Sequence, residues 1–206
     1  FKKTPIDQAL ERLSTLSTFD LDEQLTQIKN SLQIKAGDER LYTKQRFVRS
    51  SEVLKTQEFL NVAIELGDII VKNKYSSKDG RCTWIGYVTN IVSHTYGYKP
   101  IGLDLSNGNI GVALFLAALY AATGKEDYKD TCCKAILPVL DVLKYDWSKN
   151  EFAGMFGLGI TAGVGSLVYA LNKIFNYIPA FDLAPSIKEF ASLINRGNIS
   201  KTIRHD

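Results

Sequence analysis

The sequence predicts an all-α protein of paired inner and outer helices, and three observations carry that expectation. First, residues 102–120, GLDLSNGNIGVALFLAALY, pass from an acidic, turn-rich loop into a helix that is apolar nearly all the way round. Such a helix must be enclosed by protein or lipid, and residues 112–122 fall short of the ~20 residues that span a bilayer. Second, the helix that follows is apolar on one side only. From Tyr128 its apolar residues fall at Cys132, Ala135, Ile136, Val139, Leu140 and Leu143, leaving Lys129, Asp130, Lys134 and Asp141 for water. Third, the pattern returns in residues 162–178, where Gly165 matches Gly111, Val164 matches Ile110 and Tyr169 matches Phe115 at an offset of 54. An enclosed helix paired with an amphipathic one, then repeated, is the mark of stacked α/α units that bury their faces on their neighbours.

Taken in order, residues 1–35 read as two one-faced helices. Ile6, Ala9, Leu10 and Leu13 form one stripe; Leu21, Leu25, Ile28 and Leu32 form the other, with Asp20, Asp22 and Glu23 favouring the dipole at its start. Residues 36–56 are polar and irregular, and their Arg40, Lys44, Arg46 and Arg49 read as a solvated linker, since no aromatic residues alternate with them. Residues 59–71 form a helix with Phe59, Ala63, Leu66 and Ile70 on one side and Glu65, Asp68 and Lys72 facing out. Residues 75–80 are a polar turn. Residues 83–92, rich in β-branched and aromatic side chains, read as a strand that pairs with residues 96–101 in a small β-hairpin inserted into the helical domain.

The helix ends are also legible. Thr123-Gly124 is a stop, because glycine takes the left-handed conformation without a steric penalty. Glu126 and Asp127 put negative charge at the next helix start, and Pro138 is expected to kink that helix. A last amphipathic helix over residues 185–194 presents Ile187, Phe190, Ala191 and Ile194.

The 206-residue chain has 45% hydrophobic residues, ample for a core, and a net charge of +3, too small and scattered to argue for nucleic acid. It shows no signal peptide or membrane span. Residue 1 is Phe and the one Met is Met155, so the chain is expected to be a piece of something longer. HExxH, CxxC, P-loop and GxSxG motifs are absent. Cys132 and Cys133, neighbours on a helix, point about 100° apart and are poorly placed to share a tetrahedral ion, so they read as small core residues; with Cys82 the only other cysteine, nothing suggests a disulfide framework, which fits a reducing cytosol. His94 has no acid or nucleophile at a useful spacing, and His205 ends the chain. Asp104, just before a helix, has an ordinary structural explanation as a turn or cap residue and a second one as a catalytic carboxylate. Gly108, Gly111, Gly163 and Gly165 read first as packing residues, with anion binding by free N–H groups as the other possibility.

The run GLDLSNGNIGVALFLAALYAATGKEDY resembles the inner-helix signature of the lanthionine synthetase cyclase family. TWIGYV and GMFGLGITAGVGSLVYAL resemble the same family, in its bifunctional class II form, and LSTFDLDEQLTQIKNSL is similar to the stretch that joins dehydratase to cyclase there. The resemblance implies an α/α toroid, incomplete here, with about three of the seven inner/outer helix pairs of a full ring. It implies that residues 1–55 are the end of the dehydratase region with a linker, and residues 56–206 the first part of the cyclase. The implied reaction adds cysteine thiols of a precursor peptide to dehydroalanine or dehydrobutyrine, giving lanthionine or methyllanthionine. The implied cofactor is zinc, bound through WCxG and CHG motifs with an HG histidine nearby; none of these is in the chain, so the segment alone is expected neither to bind zinc nor to cyclise peptides. The implied partners are the precursor peptide and the rest of the synthetase. Asp104, four residues before Gly108, matches the family's aspartate near the metal and is the one catalytic candidate. Two other functions stay open. One is a non-catalytic, peptide-binding scaffold. The other is a different toroid enzyme such as a glycosidase, which needs two carboxylates across the mouth, whereas the offset places Leu158 opposite Asp104.

Overall fold

The computed structural model describes residues 4–37, 56–90, 95–144 and 149–202. In chain order the elements are α1 (Pro5–Ser14), α2 (Thr18–Gly37), α3 (Thr56–Lys72), β1 (Tyr75–Ser76), β2 (Cys82–Thr83), β3 (Ile85–Asn90), β4 (Thr95–Pro100), α4 (Asn109–Thr123), α5 (Glu126–Asp141), a 3-10 turn (Val142–Lys144), α6 (Lys149–Phe156), α7 (Val164–Tyr177), α8 (Ala184–Ser192) and α9 (Arg196–Thr202). The fold is all-α, as the sequence predicts, with two small antiparallel strand pairs, β1–β2 and β3–β4. Its contacts divide it into two compact units, Phe1–Arg49 with Tyr87–Lys99, and Ser50–Gly86 with Pro100–Asp206. The linker residues Arg40, Lys44, Arg46 and Arg49, together with His94 and His205, lie outside the described residues.

In the first unit, α1 and α2 start for local reasons. The Thr4 hydroxyl accepts the Asp7 N–H at 3.2 Å while the Asp7 carboxylate accepts the Thr4 N–H at 3.1 Å. Ser17 and Asp20 repeat the exchange at 3.3 and 2.7 Å. These reciprocal caps satisfy donors that a helix start leaves open. The expected stripes are present, but Ile6, Leu10 and Leu13 on α1 and Leu21, Leu25, Ile28 and Leu32 on α2 are all exposed. Tyr87 and Tyr98 face each other across the β3–β4 hairpin with ring centroids 5.3 Å apart.

The second unit holds the core. The inner helix α4 packs against its outer partner α5 and against the second inner helix α7, which in turn carries α8. Ile110, Ala113, Leu116 and Ala117 of α4 are completely buried against Cys132, Ala135, Ile136 and Val139 of α5 and Leu167, Ala170 and Leu171 of α7. Gly124 ends α4 at φ 70°, its N–H bonded to the Tyr120 carbonyl at 2.7 Å. Helix α5 runs through Pro138 to Asp141.

Three expected faces are corrected. On α3 the packed side is Leu60, Ala63, Ile64, Gly67, Ile70 and Val71, while Phe59 and Leu66 are exposed. That helix is apolar on two sides, and Gly67 selects one: a Cβ there would lie 2.5 Å from Leu119 Cδ1 and 3.2 Å from the Tyr128 ring. On α8, Phe190 is buried, but Ala191 and, just past the helix, Ile194 are exposed, while the flanking Leu183 and Leu193 are buried. On α5, Asp141 is buried rather than solvated, because Arg81 Nε and Lys144 Nζ donate to its two oxygens, the latter at 2.9 Å. Strand β1 falls where the sequence reads as a turn, β2 overlaps only the first residue of the expected strand, and α6 and α9 have no counterpart in the sequence expectation.

Candidate functional site

The site candidate is the loop that enters α4. Its backbone folds back on the helix start: the Asn109 N–H donates to the Gly102 carbonyl at 2.8 Å, and the Ile110 N–H to the Leu103 carbonyl at 3.4 Å. Gly111 N–H donates to the Gly108 carbonyl at 3.2 Å. Donors that a helix start would offer to an anion are therefore taken up by the loop itself, which favours the packing role of the glycines. A Cβ on Gly108 would lie 2.6 Å from the Gly102 carbonyl oxygen, and one on Gly111 would collide with the Leu105 carbonyl oxygen.

The loop entering α7 is built the same way. Val164 N–H donates to the Gly157 carbonyl at 2.9 Å, and a Cβ on Gly163 would lie 2.8 Å from that same oxygen. Gly102 thus corresponds to Gly157 and Gly108 to Gly163, an offset of 55 rather than the 54 read from the sequence. At 55 the two loops align as GLDLSNG and GLGITAG, a correspondence visible in the sequence once the register is known. Asp104 then faces Gly159, and neither Gly159 nor Leu158 supplies the second carboxylate a glycosidase would need.

Asp104 is half-buried in this loop. Its Oδ1 accepts the Asn107 N–H at 2.7 Å, an Asx-type turn that fixes the carboxylate on its own loop. Among the described residues Oδ2 has no hydrogen-bond partner; it lies beside Gly102, where a Cβ would approach it to 3.2 Å.

Two supporting residues escape a sequence reading. Asn109 is buried, its Nδ2 donating to the carbonyls of Cys82 at 3.0 Å and Ala135 at 3.4 Å while its Oδ1 accepts from Thr83 Oγ1 at 2.9 Å. It joins the start of α4 to β2 and α5. Ser106 donates from both its N–H and its Oγ to the Thr161 carbonyl, each at 3.1 Å. Ser106 and Thr161 are equivalent positions of the two aligned loops, and that match of two short hydroxyl residues is the signal that could have flagged them.

The cysteines behave as core residues. Cys82 and Cys132 are buried, and burial pushes the Cys82 thiol up to about 11 and raises those of Cys132 and Cys133 as well. A protonated, enclosed thiol is neither a nucleophile nor a ready metal ligand. Among the described residues no group of three or more His, Cys, Asp or Glu could hold a metal ion, so the described residues do not fit zinc. No helix among them is long and apolar enough to cross a membrane.

Inner helices entered through glycine-closed loops, each backed by an amphipathic partner, define a helical-repeat protein of the inner/outer kind. Within that class, the model of the lanthionine synthetase C-like protein family matches residues 99–201, and the chain belongs to this family. The matched span takes in both loops, both inner helices and Asp104. No curated protein matches the chain.

Proposed function

We propose that this chain is the first part of the cyclase of a class II lanthipeptide synthetase, with residues 1–55 belonging to the preceding dehydratase region and its linker. The observation that carries this reading is the half-buried Asp104 on the entry loop of α4, inside the span that matches the family. The substrate is a dehydrated precursor peptide, and the remaining part of the synthetase completes the site. A cysteine thiol adds to the β-carbon of dehydroalanine or dehydrobutyrine, forming one C–S bond as the C=C π bond breaks. The thiol proton is lost and the α-carbon gains a proton, so nothing is oxidised or reduced. Asp104 acts in the proton transfers of this addition, through Oδ2, while the Asn107 N–H anchors Oδ1. Zinc belongs to the complete protein, where it would lower the thiol pKa; since the residues described do not fit it, no step is routed through it here. A cytoplasmic location accords with the free cysteines.

A second reading has its own support. The Asn107 N–H bond is what a purely turn-shaping aspartate would make, as in a non-catalytic, peptide-binding scaffold. One experiment separates the two. Ring closure leaves the peptide mass unchanged, so it is followed as protection of the cysteine from thiol alkylation. In the full-length protein carrying this chain, Asp104→Asn is expected to abolish that protection while dehydration continues. Unchanged ring yield would leave Asp104 as a turn residue.

A further inference from the structure

We infer that Ser106 is a positioning residue for the Asp104 carboxylate, acting through the contact between the two entry loops. This rests on the catalytic reading of Asp104 and adds the element that holds it in place. Among the described residues the Asp104 carboxylate is held only within its own loop, by the Asn107 N–H at 2.7 Å. The loop itself must then be fixed to something rigid. Its α4 end is held by Gly108 and Asn109, which sit buried against the helix start. Its outer turn, Ser106-Asn107, is exposed and, among the described residues, reaches the neighbouring repeat through the Thr161 carbonyl, which takes both the Ser106 N–H and the Ser106 hydroxyl at 3.1 Å. That carbonyl is itself set by the entry loop of α7, closed by Val164 N–H on Gly157 and Ser166 N–H on Gly159 at 2.9 and 3.1 Å. The position of the carboxylate is thus referred to α7 as well as to α4. The rate depends steeply on such placement, because a misplacement of about 1 Å can cost on the order of a hundredfold.

Only the side-chain half of this contact is removed by Ser106→Ala, since the backbone N–H remains. The expected result, in the full-length protein with a dehydrated peptide bearing one cysteine and one dehydroalanine, is a kcat about tenfold lower with KM within about twofold. Ser106→Thr, which keeps a hydroxyl at the place where the second loop already has Thr161, restores kcat. A melting temperature close to that of the parent for both variants shows that the loop, not the fold, has moved. Wild-type kcat in Ser106→Ala, a loss that appears in KM alone, or failure of Ser106→Thr to rescue overturns the positioning role. Asp104→Asn, run alongside, keeps the two claims apart. If it stops ring formation while Ser106→Ala does not slow it, positioning alone fails; if it leaves ring formation intact, the catalytic reading fails and the positioning role with it.

Discussion

Asp104 and Gly159 occupy the same position in two copies of one loop, and only the first copy carries a carboxylate. The glycines around it are the shared part, and their demand is steric. Gly111 illustrates it: a methyl group there would meet the backbone oxygen of Leu105, which cannot swing aside as a side chain would. Alanine gains up to about 1 kcal/mol in helix propensity over glycine, but overpacking against fixed backbone costs about 1–3 kcal/mol. Gly111→Ala is therefore expected to lower stability, with a reduced denaturation midpoint in urea; an unchanged or raised midpoint would show that the loop can retreat. The register of these loops was missed for a physical reason. Along a helix, apolar positions recur every three or four residues, so an offset of 54 still pairs buried Ile110 with Val164, Ala113 with Leu167 and Leu116 with Ala170. Backbone hydrogen bonds allow no such tolerance, and they select 55.

At the scale of elements, the end of α5 is tied to the residue preceding β2. Asp141 accepts from Arg81 and Lys144, and both cations hold its carboxyl below the ordinary 3.8, Arg81 foremost. A carboxyl depressed in the folded state contributes stability that is complete above its unfolded value and fades as pH falls through the folded one. The contribution is thus present at neutral pH and lost below about pH 3.8. Because Arg81 and Lys144 are 38% and 72% exposed, solvent screens the pair, and its worth lies well below that of a fully buried one, at about 1–2 kcal/mol. Asp141→Asn should lower the melting temperature at pH 7, with the gap to the parent narrowing as the pH falls below about 3.8. A gap that persists in acid would mean that packing, not charge, is what Asn disturbs. The sequence placed Asp141 among solvated residues because its partner Arg81 lies sixty positions away, and no local pattern couples the two.

Over the whole molecule, burial is unevenly shared. The buried apolar residues from Cys82 to Leu193 gather around α4, α5 and α7, whereas the stripes of α1 and α2 and the Phe59, Val62, Leu66 and Ile69 side of α3 are at least half exposed. Exposed apolar stripes such as these, each taken within its own unit, draw proteins together, and a net charge of +3 offers little repulsion against this. The purified 206-residue chain is expected to associate as its concentration rises and to enhance the fluorescence of a dye that binds apolar surface. A monodisperse monomer by light scattering, without dye enhancement, would contradict this.

What the amino-acid order determined alone were features settled within a few residues: helices α1 to α5, α7 and α8, the Gly124 stop, the acidic helix start at Glu126 and Asp127, and the glycine-rich run by which the family is recognised. The tertiary structure alone decided which side of α3 is buried, why Asp141 is enclosed, and that Ser106 reaches Thr161. A cap or a period closes within one or two turns of helix, so adjacent residues suffice to specify it. A face or a long-range hydrogen bond exists only once separate elements have been brought together, and many placements of those elements share the same local pattern.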